Sequence, residues 1–126
     1  MLGFSVYLGH DLTSEDYNYL LAMRNSGFTC VFTQLEAADT DSETILKRLA
    51  NLTDWCQKLD LKIIADVSEP ILQNLDINVN SVQQIKSLNL TGIRVDEGFS
   101  IEMIAKLSKE MPVVLNASTI TQDDID

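Results

Sequence analysis

The stretch GIRVDEGFS, residues 92–100, opens as a buried strand and closes in charge: Arg94, Asp96 and Glu97 fall just before Gly98. Successive side chains of a strand point to opposite faces. Ile93 and Val95 therefore share one face, and Arg94 and Asp96 the other. Gly98 accepts the positive φ of a sharp turn, and Ser100 is placed to cap a following helix. A strand, a polar tip, a turn and a helix start make up the repeating unit of an α/β protein.

Working outward, the same unit recurs. GFSVYLG (3–9), CVFTQL (30–35), LKIIADV (61–67) and PVVLNAS (112–118) are each rich in Val, Ile or Phe and close on polar or glycine punctuation. Helical patterns lie between them. The first is expected over Ser14–Asn25, with Thr13 and Ser14 as capping candidates, Glu15 and Asp16 at its positive end, and Gly27 as its stop. The second begins near Ser42, where Ile45, Leu49, Leu52, Cys56 and Leu59 form one apolar stripe. Trp55 borders that stripe and reads as packing. The third is expected to be capped by Asn80, with Val82, Ile85 and Leu88 inward, after an extra turn begun at Pro70. The fourth, capped by Ser100, is expected to turn Ile101, Ile104 and Ala105 inward, and STITQDDID begins a fifth. Single helices alternating with near-continuous apolar strands predict a parallel sheet.

The chain has 126 residues, 45% of them hydrophobic, enough for one domain with one core and too apolar for disorder. A net charge of −10 repels phosphate backbones and anionic membranes, so no nucleic acid and no membrane is expected as a partner. The N-terminus, MLGFSVYLGHD, lacks a basic n-region and reads as a first strand. Cys30 and Cys56 read as small buried hydrophobes, which fits a cytoplasmic protein without a disulfide framework.

Strand parity singles out a second set of residues. Counting from the tips, Tyr7, Thr33, Asp66, Asp96 and Asn116 fall on one phase, each at the polar end of its run. Sites in α/β folds gather at the C-terminal ends of parallel strands, so this set is a candidate active site. The plainer alternative is an internal ion pair of Arg94 with Asp66 or Asp96. Two architectures fit: an open doubly wound five-stranded parallel sheet, or the first five units of an eight-stranded TIM barrel. A receiver-type open sheet would carry an acidic pair after strand one and a lysine after strand five, where this chain has His10-Asp11 and Asn116.

GFSVYLGHDLTSEDYNYLLAMRNSGFTCVFTQL, ADVSEP, TGIRVDEGF and LNAST together resemble the 6-phospho-N-acetylmuramidase family, formerly called outer surface proteins, along essentially the whole chain. Gln34 departs from the serine expected there, and residues 36–44 carry no recognition. The resemblance implies a two-domain cytoplasmic glycosidase: a (β/α)8 barrel followed by a β-rich domain. Its substrate would be the phosphorylated amino-sugar disaccharide of 6-phospho-N-acetylmuramic acid and N-acetylglucosamine, from cell-wall recycling, with no metal or organic cofactor. On this reading the 126 residues are the N-terminal part of the barrel, the remaining strands and second domain are absent, and the open sheet edge invites self-association.

Most glycosidases place two carboxyl groups astride the scissile bond, about 5–5.5 Å apart for retention and about 6.5–9.5 Å for inversion. The catalytic candidates are Asp96 and Glu97, then Asp66, with acid and nucleophile left unassigned. Arg94 is expected to hold a carboxylate bidentately or bind a substrate anion. Tyr7 is a candidate to stack on a sugar ring or to fill the barrel. Asn116 and Ser118 are candidates for the acetamido group or sugar hydroxyls, and His10, the only histidine, for a substrate contact. The rivals are a sugar-phosphate lyase or isomerase, disfavoured because Lys62 starts its strand rather than ending it, and a non-catalytic remnant.

Overall fold

A computed structural model of the chain describes residues 2–36, 40–95 and 99–115. The elements run β1 (Gly3–Ser5), α1 (Ser14–Asn25), β2 (Cys30–Gln34), α2 (Ser42–Lys58), β3 (Lys62–Val67), α3 (Glu69–Asn74), α4 (Val82–Lys86), β4 (Gly92–Val95), α5 (Ile101–Ser108) and β5 (Val113–Leu115). The five strands form one all-parallel sheet in the order β1-β2-β3-β4-β5. Each strand lies beside its predecessor, without the reversal of order that marks a doubly wound sheet.

Right-handed crossovers between sequential neighbours bring every helix back to the same side. The core bears this out. Leu20 of α1, Leu49 of α2, Leu72 of α3, Ile85 of α4 and Leu107 of α5 join Phe4, Val31, Ile63 and Ile93 in a single cluster. The other face of the sheet is left uncovered by the described helices. Ser5 and Gln34 are exposed there, Phe32, Asp66 and Arg94 are half-buried, and Val114 is 46% exposed.

Local chemistry sets the helix ends. Asp41 accepts from the Thr44 N–H at 2.7 Å, Ser68 from Ile71 at 3.3 Å and Ser100 from Met103 at 3.0 Å. The cap of α4 is Ser81 rather than the expected Asn80. The Ser81 hydroxyl accepts from the Gln84 N–H, while the Asn80 N–H donates to the Asn78 side chain. In α5 the inward residues are Met103 and Leu107, and Ile101 is 87% exposed. Ile104 packs partly against the core, and Ala105 is exposed. With Met103 and Leu107 inward, Ile101 stands about 200° from Met103 around the helix and faces solvent.

Three helix ends share one stop. Gly27, Asp60 and Asp76 take positive φ, and the next residue reaches back to a carbonyl five positions earlier: Phe28 to Met23, Leu61 to Cys56, Ile77 to Leu72. Cys30 and Cys56 are buried and free. Burial pushes both thiols up, that of Cys56 to about 12.

Candidate functional site

At the C-terminal ends of β3 and β4, Asp66 and Arg94 stand opposite each other in register. The Arg94 Nε–H donates to Asp66 Oδ1 at 2.5 Å and Nη2 donates to Oδ2 at 2.8 Å. This is the two-pronged geometry that a planar guanidinium offers a carboxylate. Both side chains are part-exposed, 38% for Arg94 and 26% for Asp66. Hydrogen bonding to Asp66 raises the Arg94 pKa further above its ordinary value, against an opposing effect of burial.

The pair rests on an aromatic floor. The Arg94 guanidinium carbon lies 5.7 Å from the centre of the Phe32 ring. That ring in turn occupies the space a side chain at Gly3 would need, since a Cβ there would come within 2.1 Å of it. Gly3 on β1 therefore lets Phe32 of β2 lie under Arg94 of β4.

Two clefts meet beside this pair. One, of about 350 Å³, is lined by Gln34, Glu36, Asp66, Ser68, Ile71 and Arg94. The other, of about 830 Å³, is lined by Tyr7, Gln34, Glu36, Ser42, Asn74 and Leu75, among others. Both lie where parallel α/β sheets place their sites, and they share Gln34 and Glu36. A further hollow of about 340 Å³ opens at the opposite end of the sheet and carries the Lys86–Glu110 ion pair. Lys62 begins β3, at that same far end.

The residues singled out from sequence fall into three groups. Asp66 and Arg94 are brought together, and Tyr7, 58% exposed, lines the larger cleft. His10 lies outside both clefts, with Nε2 3.3 Å from Asp16 Oδ2. Asp16 also accepts from the Thr13 backbone N–H at 2.8 Å, which is the main cause of its lowered pKa. Asp96, Glu97, Asn116 and Ser118, like Gly98, lie outside the described residues.

Thr33 requires a correction. It pairs in register with Ala65 and is 2% exposed on the helix-covered face, together with Val31. The residue level with Asp66 and Arg94 is Gln34. Counting strand parity back from a polar threonine put β2 one position out of phase, because Thr has nearly the shape of Val and fills a core position as Val would. Gln34 and Glu36 are the groove residues that this reading missed. The signal available was the pair of flanking core residues, Val31 and Leu35, which fix the parity of β2 from both sides.

Among the described residues no group of three His, Cys, Asp or Glu side chains is placed to hold a metal ion. No helix among them is long and apolar enough to cross a membrane.

Residues 2–126 match the family model described as 6-phospho-N-acetylmuramidase, N-terminal. No curated protein matches. Among solved structures, the chain is similar to a conserved protein of unknown function from a locus in Enterococcus faecalis. The TM-score is 0.82 and the identity 31%, over 99% of this chain and 34% of that one. The chain thus spans about a third of that relative's length.

Proposed function

We propose, from the premise that the chain belongs to the 6-phospho-N-acetylmuramidase N-terminal family, that it forms one wall of a glycosidase active site. The carrying observation is the family match along residues 2–126. The polar groove at the C-terminal ends of β2, β3 and β4 supports it. In this proposal the five sequential strands are the first five units of a (β/α)8 barrel, and their open face is the barrel interior. A solved relative about three times as long leaves room for the remaining strands and a second domain.

The substrate is the disaccharide of 6-phospho-N-acetylmuramic acid and N-acetylglucosamine, cleaved by hydrolysis in the cytoplasm. Asp96 and Glu97, which follow β4 in sequence, supply the carboxyl pair that such hydrolysis requires. Asp66 has a different part from them. Its two oxygens both accept from Arg94, so it acts as a positioning residue that aims the guanidinium. Arg94, held in this way, faces the substrate's anionic groups. Asn116 and Ser118, after β5, serve the acetamido group and hydroxyls.

The test uses a longer family member that carries these residues. Asp96→Asn and Glu97→Gln are each expected to abolish release of N-acetylglucosamine while circular dichroism and thermal melting stay unchanged. Near-wild-type turnover in both variants removes the assignment.

A further inference from the structure

The groove is not uniform, and its two ends differ in a way that divides a substrate. The smaller cleft holds Arg94, the only cationic side chain lining either cleft among the described residues. The larger cleft is lined by one aromatic ring, Tyr7, by the amides of Gln34 and Asn74, by the hydroxyls of Thr40 and Ser42, and by one carboxylate, Glu36. The smaller cleft shares Glu36 and adds Asp66 beside Arg94, so what separates the two is the guanidinium: the larger cleft offers an anionic group no cation to bind. An exposed aromatic face flanked by amide and hydroxyl groups suits the apolar C–H face and hydroxyl edge of a neutral sugar.

We propose that the Tyr7 cleft is the subsite for the neutral N-acetylhexosamine ring, with the anionic ring held at the Arg94 end. The inference rests on the glycosidase reading for the identity of the two rings, and adds which ring lies where. Tyr7 stacks under the ring, while Asn74 and Gln34 exchange hydrogen bonds with its acetamido group and hydroxyls. Gln34 and Glu36 line both clefts, so the two subsites adjoin.

N-acetylglucosamine and N-acetylmuramic acid 6-phosphate are titrated separately into the 15N-labelled chain, and the side-chain amide and arginine signals are followed by NMR. N-acetylglucosamine is expected to shift the Asn74 and Gln34 amides saturably. Tyr7→Ala should weaken this binding about tenfold, whereas Tyr7→Phe, which keeps the ring, should retain it. Arg94→Gln should leave it unchanged and weaken only the phosphorylated sugar. Absence of saturable N-acetylglucosamine binding, indifference to Tyr7→Ala, or dependence on Arg94 in place of Tyr7 each overturns the proposal. Tyr7 is exposed, so its variants leave the core intact.

The two readings fail separately. Loss of N-acetylglucosamine binding while hydrolysis persists in a longer family member removes this subsite alone. Turnover that ignores Asp96→Asn and Glu97→Gln removes the glycosidase assignment and leaves sugar binding at Tyr7 measurable.

Discussion

Arg94 and Asp66 make one charge-assisted, two-pronged contact, and both remain part-exposed. Solvent screens such a pair, so a double-mutant cycle on Arg94→Met and Asp66→Asn should give a coupling energy of about 1–2 kcal/mol, read from urea melts. Thr33 presents the opposite case. Its hydroxyl is buried and finds no hydrogen-bond partner among the described residues. A buried donor without a partner costs roughly 1 kcal/mol or more. Thr33→Val keeps the shape and removes that cost, so it should raise stability by about 1 kcal/mol without touching the groove. Denaturant midpoints measured at constant slope check this. The residues themselves were legible in sequence, as polar ends on apolar runs. Which of two adjacent polar residues faced the groove was not, because Thr33 and Gln34 differ by one step of parity, and only strand pairing sets that step.

At the scale of the element, helix ends carry most of the local information. The cap at Ser100 and the bounds of α1 follow from their residue types. The stops of α2 and α3 are less obvious in sequence, since aspartates rather than glycines take the left-handed position. Asp60 has φ 55° and Asp76 φ 58°. A side chain there is strained, and a carboxylate near a helix C-terminus opposes the helix dipole. Asp60→Gly and Asp76→Gly should each stabilise the fold by about 0.5–1 kcal/mol, seen as a rise in Tm. At the other end of α1, Asp16 has a folded pKa below 3.8, set mainly by the Thr13 N–H. Its stabilising effect is present above that pH and is lost as the pH falls through the folded value. Asp16→Asn should therefore flatten the acid limb of the stability profile, measured as Tm against pH.

For the whole molecule, the decisive property is that the described helices cover one face of the sheet. Half-buried Phe32 and exposed Val114 lie on the other side, and β1 and β5 are the edges among the described residues. Unpaired edges and an open apolar face favour pairing with another chain. The 126-residue chain is expected to show concentration-dependent association in sedimentation velocity. Val114→Lys, a charge on the edge strand at an exposed position, should shift it toward monomer without lowering Tm.

The sequence by itself determined the number and order of the strands, the caps of α1 and α5, and the family. These depend on local propensity, period and end chemistry, all written within a few consecutive residues. The tertiary structure alone decided three things. The sequential strand order leaves one face open. The phase of β2 sends Thr33 into the core and Gln34 to the groove. The union of Asp66 and Arg94 turns two candidate site residues into one bound pair. Each depends on which strand lies beside which and at what register, a relation between residues as far apart as Gly3, Phe32 and Arg94 that no local pattern encodes.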